Sequence, residues 1–273
     1  MTGPVEGIVV TLDAASESRI AIDTAVQLAA RTGAPLHGIF VEDQELLELA
    51  ALPFARHVTF GTGAEAFTIE NVELHLRAQA ERARRELFTA ARRHGVTCTF
   101  EVKRGTVGAA ASASEHRLVI AGASSRPVAG YFRVEHRWWS SVGAAAGPLL
   151  ISRALWTRPG AVAVLMQDRT AASARLLDAA ARIAAAGDRT LLIICPPEVA
   201  GTEGVEKWID DRVAGYGVRA QIEATPLEPA AIEERLGHLE CRVLAVRADL
   251  AGAGGEEFRR LAERIACDML IVR

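Results

Sequence analysis

Lysine is nearly missing from this chain. Only Lys103 and Lys207 stand among 31 basic residues, and 34 acidic ones leave a formal net charge of -3. The electrostatic footprint of a nucleic-acid binder is therefore lacking, and no nucleic-acid partner is expected. Long apolar runs are missing too. The longest small-or-apolar stretch, 142–151, is broken by Pro148, whereas a membrane span needs about 20 such residues. The opening MTGPVEGIVV has Glu6 and no basic stretch ahead of a long apolar run, so it does not read as a secretory signal. Cys98, Cys195, Cys241 and Cys267 show no CxxC spacing and mostly lie within or beside apolar runs. That predicts buried free thiols in a reducing cytoplasm, with no disulfide framework and no metal site. What the chain does have is apolar material: 50% of its 273 residues are hydrophobic. This is ample for a core, excludes disorder as the dominant state, and allows one large domain or two ordinary ones.

The chain is written twice. GIVVTLD ending at Asp13 matches VAVLMQD ending at Asp168, an offset of 155 that also pairs Ser18 with Ser173, Asp23 with Asp178, Ala29 with Ala184 and Leu36 with Leu191. Further on, HRLVIAG (116–122) answers CRVLAVR (241–247) at an offset of 125, and PLLISR (148–153) answers DMLIVR (268–273) at 120. The second copy thus lacks 30 residues after its second strand and five more before its last, as a duplicated domain with altered loops would. The segment RALWTRPG (153–160), with Pro159 and Gly160, marks the boundary. Residues 1–153 and 160–273 are the expected domains, with an extra segment at 43–69 in the first.

Each copy alternates strands and helices. In the first, GIVVTL reads as a strand buried on both faces. Ser16 or Ser18 then caps a helix that stops at Gly33–Pro35. LHGIFV and VTCTFEV (96–102) are strands two and three. Val72, Leu76, Ala83 and Leu87 stripe a helix between them. Short helices are expected near 106–115 and 136–146, around the strand RLVIAG. The second copy predicts strands near 161–166, 190–195, 218–224, 241–247 and 269–272, with helices near 171–186, 203–215, 228–238 and 255–266. This order implies α/β domains with parallel sheets, right-handed crossovers and helices on both faces.

With the Asp13 turn, VIAG at 119–122 and the PLLIS ending, the order resembles the universal stress protein family over nearly the whole chain. The resemblance implies two tandem doubly wound parallel-sheet domains of the adenine nucleotide alpha hydrolase-like kind, strand order 3-2-1-4-5. It also implies pairing through strand five. LLIS (149–152) and MLIV (269–272) could make that pairing within one chain as a pseudo-dimer.

Nucleotide-binding members of the family carry G-x2-G-x9-G-[ST] after strand four, where glycines admit phosphate to backbone amides and the hydroxyl adds a donor. From Gly122 the ungapped pattern puts Ser125 at the second glycine, Glu135 at the third and His136 at the hydroxyl. A gapped placement would use Ser140 and Ser141 but shorten the last helix. A carboxylate at Glu135 opposes a polyphosphate by several kcal/mol at about 4 Å, so ATP in the family's usual manner is disfavoured. In the second copy the turn begins at Arg247, and GAGG (252–255) runs into Glu256 and Glu257, so it reads as a turn into a helix.

Other candidates have plainer readings beside them. Asp13 lies past strand one, where open α/β sheets bind ligands; it is a nucleotide contact by resemblance, or a turn and cap. Asp168, in the copy with the altered loop, is expected to cap. Arg126, Arg133, His136 and Arg137 could grip a small anion or form a solvated loop balancing Glu135. Trp138 and Trp139 read as a packing anchor. GASSR (122–126) approaches the hydrolase elbow at Ser124, with His116 and His136 available, but Arg126 stands where the last glycine is needed. In the extra segment, Leu46, Leu49 and Ala50 share a helical face, with Glu42, Asp43, Glu45 and Glu48 elsewhere, and GTGAEAF follows as a flexible stretch. The segment could cover the crevice or meet a partner; packing of Leu52, Pro53 and Phe54 onto the second domain is the favoured expectation. The Arg-rich stretch 82–93 reads as a solvated helix face.

These observations favour a cytoplasmic, non-enzymatic stress-response sensor or adaptor that acts through a protein partner or as a homo-oligomer. An adenine-nucleotide binder holding ATP or AMP through Asp13, Val41, Gly122, Ser124 and Ser125 is the alternative, and a serine hydrolase a distant third. No cofactor is firmly implied, and a small anionic or nucleotide ligand stays open.

Overall fold

The computed structural model describes residues 7–13, 18–52, 56–59, 63–66, 68–106, 108–109, 117–123, 146–253, 261, 264 and 267–273. In the first repeat these form β1 (Ile8–Leu12), α1 (Ser18–Thr32), β2 (Leu36–Asp43), α2 (Gln44–Ala50), β3 (Arg56–Thr59), β4 (Gly63–Ala66), α3 (Ile69–Arg93), β5 (Cys98–Gly105), β6 (Leu118–Gly122) and β7 (Leu149–Ser152). The second contributes β8 (Ala161–Leu165), α4 (Ala171–Gly187), β9 (Leu191–Cys195), α5 (Pro197–Ala200), α6 (Val205–Val213), β10 (Ala220–Ala224), α7 (Pro229–Gly237), β11 (Cys241–Arg247), α8 (Ala248–Ala253) and β12 (Asp268–Val272).

Ten strands make one sheet in the order β10-β9-β8-β11-β12-β7-β6-β1-β2-β5. Within each repeat the strand pairs of this sheet are parallel and follow 3-2-1-4-5, as the family resemblance implies. The repeats join where β7 and β12 run antiparallel, with Leu150 opposite Leu270. That pairing covers what would otherwise be two apolar strand edges.

The strand sequences explain this placement. IVVTL, LLIIC and DMLIV are buried at every position, as strands covered on both faces must be. The polar exception in β1, Thr11, donates its hydroxyl to the Ile120 carbonyl at 3.3 Å, which removes the cost of an unpaired buried group. The outer strands β5 and β10 instead mix half-buried and exposed positions.

The helix α3 begins where the Thr68 hydroxyl accepts the Asn71 amide at 3.3 Å. Its Val72, Leu76, Ala80, Ala83, Leu87 and Ala91 form the buried stripe, and its arginines face outward. Leu76 and Leu87 are fully buried, each worth about 1.5–3 kcal/mol. Gly38 lets this helix lie close on β2: a Cβ there would stand 2.3 Å from Leu87 Cδ2 and 2.9 Å from Phe100 Cδ2.

The extra segment docks on its own repeat. Leu46, Leu47 and Ala50 of α2 pack with Val72 and Leu76, while Leu49 is only half-buried. Arg104 bridges Glu42 at 3.4 Å and Glu73 at 3.1 Å beside them. Leu52 is 41% exposed, so it does not provide the packing on the second domain that the sequence suggested; Pro53 and Phe54 lie outside the described residues. GTGAEAF is not simply flexible: its residues 63–66 pair antiparallel with β3. Those strands are too short for a periodicity signal. Gly252 and Ala253 end the helix α8 instead of opening a turn. The helices expected near 106–115, 136–146 and 255–266 fall largely outside the described residues, as do Ser16, Ser140, Ser141, Trp138 and Trp139.

The segment between the repeats is anchored. Trp156 is buried, its amide donates to Asp23 Oδ2 at 2.8 Å, and its carbonyl accepts from Arg189 Nη2 at 2.7 Å. The guanidinium carbons of Arg189 and Arg242 lie 4.7 and 5.5 Å from its ring centre. Burial, then repulsion from Arg242, lowers the Arg189 pKa.

Candidate functional site

In an open parallel sheet, ligands bind beyond the carboxyl ends of the strands where the order reverses. That point lies between β1 and β6 in the first repeat and between β8 and β11 in the second.

In the first repeat, Asp13 follows β1 and is 8% exposed. One register step beyond Leu12–Phe40 brings it level with Val41 of β2, and two steps beyond Thr11–Ala121 set it just past the end of β6 at Gly122. Val41 is buried, Gly122 pairs with Ser152, and the Ala123 amide donates to the Ser152 carbonyl at 2.9 Å. Asp13, Val41 and Gly122 thus lie at one edge of the sheet. Ser124, Ser125, Arg126, Arg133, Glu135, His136 and Arg137 lie outside the described residues, as does His116.

In the second repeat the equivalent of Gly122 is Arg247. The Arg247 guanidinium reaches Asp168, the counterpart of Asp13, with Nη1 to Oδ2 at 2.7 Å. It also donates to the Ser173 and Thr170 hydroxyls at 3.5 Å and pairs with Asp249. Asp168 Oδ1 accepts from the Thr170 amide at 3.0 Å, the Thr170 hydroxyl at 2.6 Å and the Ser173 hydroxyl at 2.7 Å. Thr170 in turn caps α4. The cap expected at Asp168 is instead Thr170, which Asp168 braces, and Asp168 also anchors the Arg247 guanidinium at this edge of the sheet. Gly122 in the first repeat against Arg247 in the second was the sequence signal for the Arg247 contact.

Desolvation raises the Asp168 pKa, but hydrogen bonds from Thr170, Ser173 and Arg247 outweigh it and hold the carboxyl well below its usual range. A depressed acid stabilises the fold fully above its unfolded pKa of about 3.9 and loses that contribution as pH falls toward the folded value. Asp168 is more than a third exposed, so solvent screens the pair and Arg247→Ala is expected to cost about 1 kcal/mol at neutral pH. The gap from the parent protein narrows in urea titrations at pH 3. A gap that stays constant with pH removes ionised Asp168 from the account.

The arrangement extends to whole molecules. A universal stress protein from Archaeoglobus fulgidus superposes on 97% of this chain and 96% of its own, with TM-score 0.67 and 12% identity. The fold is that of the universal stress proteins. A functionally unknown protein from Pseudomonas aeruginosa also superposes on this chain, at TM-score 0.60 and 16% identity over 98% of this chain and 92% of its own. No protein-family model matches the sequence, and neither does any curated protein.

Among the described residues, no group of three or more His, Cys, Asp or Glu side chains is placed to hold a metal ion. Among them, too, no helix is long and apolar enough to cross a membrane.

Proposed function

We propose that the protein is a non-enzymatic stress-response sensor or adaptor in which ATP binding of the usual universal stress protein kind has been lost. The observation that carries this reading is Arg247, which stands in place of the first turn glycine and is bonded to Asp168 across the second crevice. Glu135 supports it in the first repeat, where a carboxylate takes the third glycine position. The scaffold is kept while the phosphate-facing positions are changed, which suits signalling through a surface better than turnover. The repeats act as two domains, 1–153 and 160–273, sharing one sheet as an internal pseudo-dimer. The first carries whatever ligand or partner specificity the chain has, and its outlet is a protein partner or a second copy in the cytoplasm.

The second reading is a nucleotide held in an altered first-repeat pocket. It is favoured by one feature, Gly122 kept beside a buried Asp13. Two measurements separate the readings. The purified protein is denatured and its supernatant examined for adenine nucleotide by mass spectrometry, and magnesium ATP is titrated in a thermal-shift assay. Ligand at about 100 times its Kd stabilises by about 2.7 kcal/mol, so a micromolar site gives a clear rise at millimolar ATP. The expected result is no released nucleotide and no rise. Co-purifying ATP or AMP, or a saturable rise that Asp13→Ala abolishes, overturns the loss of binding.

A further inference from the structure

Cys241 opens β11 and Cys267 immediately precedes β12. These strands are neighbours, with Val243 opposite Asp268, and neighbouring strands run about 4.8 Å apart. Alternation alone would turn Cys241 to the face of Val243 and Ala245. However, the pairing of β11 with β8 jumps from Cys241–Ala161 to Val243–Val162, a bulge that inserts Arg242. The extra residue turns Cys241 to the opposite face, where Cys267, Met269 and Ile271 pack with Leu244 and Val246. Arg242 and Asp268 pair on the other side. The bulge thus brings two thiols, 26 positions apart in the chain, to the same face of adjacent strands, where Cys241 packs against the cluster that holds Cys267 and its thiol donates to the Val243 carbonyl at 3.5 Å.

Both cysteines line a cavity of about 470 Å³ with Arg158, Glu233, Glu240 and Arg264. Cys241 is half-buried at its wall and Cys267 is 2% exposed behind it. The cavity lies at the amino ends of the strands, away from the crevice of Asp13 and Asp168. The contact with Cys267 lowers the Cys241 pKa, and the Cys267 pKa is raised well above the ordinary thiol range. Such a division suits an attacking thiolate beside a resolving thiol. The other two cysteines are unlike this pair: burial pushes the Cys98 thiol up to about 11 and raises that of Cys195 as well.

We infer that Cys241 and Cys267 are a reversible dithiol–disulfide pair, oxidised by hydroperoxide that enters this cavity. The Cys241 thiolate attacks one peroxide oxygen and the O–O bond breaks. Cys241 becomes a sulfenic acid, and the leaving hydroxide takes up the proton that Cys241 had released, giving water. The Cys267 sulfur then attacks the Cys241 sulfur. The S–O bond breaks, and the hydroxyl leaves with the Cys267 proton as a second water. Two thiols lose two electrons and two protons in all, and hydrogen peroxide is reduced to two waters. A dithiol reductant reverses the change.

The test is hydrogen peroxide added to the purified full-length chain, followed by denaturation, alkylation and mass spectrometry. The expected result is an intact mass lower by about 2 Da before alkylation, two fewer alkyl groups than the reduced chain after it, and a peptide linking Cys241 to Cys267. Cys98 and Cys195 stay alkylatable, and dithiothreitol restores the other two thiols. Cys267→Ser is expected to stop at a Cys241 sulfenic acid that dimedone traps, and circular dichroism checks that this variant folds. The measurement on the unaltered chain stands without it. Four alkylatable thiols after peroxide, a link involving another cysteine, or overoxidation without the Cys241–Cys267 bond overturns the inference.

Discussion

Replacing Asp268 with alanine is expected to cost about 3–5 kcal/mol of stability, the penalty for leaving a buried cation without its counter-ion. Asp268 is 0% exposed and Arg242 is 1% exposed, with Nη1 and Oδ2 2.6 Å apart. The carboxylate holds more than the arginine. Oδ1 accepts the Arg153 amide at 2.7 Å, and Oδ2 accepts the Ser152 hydroxyl at 3.2 Å. With the Ser152 proton committed there, Thr24 of α1 donates to Ser152 across 2.7 Å. Arg242 Nη2 donates to the Ala154 carbonyl at 2.8 Å. One carboxylate therefore ties β12 to β11, to the end of β7, to α1 and to the segment between the repeats. Urea unfolding followed by tryptophan fluorescence checks the prediction, since Trp156 stacks in the same cluster.

The double variant Arg242→Met with Asp268→Leu separates charge from packing. Replacing a whole buried pair by apolar groups is often neutral or stabilising, whereas removing one partner is not. Most of the single-variant loss is therefore expected to return. If the double variant is as unstable as Asp268→Ala, the hydrogen bonds to the linker dominate over the uncompensated charge. The first repeat supplies a control. The counterpart of Arg242 is Arg117, which is exposed, and that of Asp268 is Pro148. Arg117→Ala should fall within about 0.5 kcal/mol of the parent.

This asymmetry also shows what a single sequence can reveal. The strands and long helices were legible because burial on both faces of a parallel sheet forces continuous apolar runs, and α3 repeats its small and apolar residues at helical spacing. The offset of 155 from Asp13 to Asp168 exposed the duplication, and the change of offset to 125 pointed to Arg247 at the Gly122 position. Contacts across strands were not legible. Nothing near Cys241 announces Cys267, because the bulge at Arg242 decides which face Cys241 takes and a bulge leaves no periodic trace. For the same reason the expectation of simply buried thiols missed a pair sharing a cavity. In α2, seven residues were too few to tell whether Leu47 or Leu49 would complete the buried face. Trp156 read as part of a plain linker because the arginines and carboxylates that hold it come from distant positions.

Gly160→Ala is the other substitution expected to be severe, at about 3 kcal/mol. Gly160 has φ +132, and a Cβ there would stand 2.5 Å from the Glu240 carbonyl oxygen and 2.9 Å from the Arg242 nitrogen. Both are backbone atoms, so no side chain can swing aside. The Glu240 carbonyl is fixed by the Ala161 amide at 2.7 Å, and the Gly160 carbonyl by Arg189 Nη1 at 3.0 Å. The sparse backbone region costs about 1–3 kcal/mol and forced overpacking a similar amount. Gly33→Ala provides the comparison: its φ is +69, but nothing lies within 4 Å of its Cβ. Only the left-handed conformation then counts, at about 1 kcal/mol. Thermal and urea unfolding of the two variants therefore isolate the collision from the dihedral strain. Equal losses would mean that the chain leaving the linker can yield at Glu240. A larger loss at Gly160 shows that close backbone contact, together with Asp268, fixes how the second repeat begins against the first.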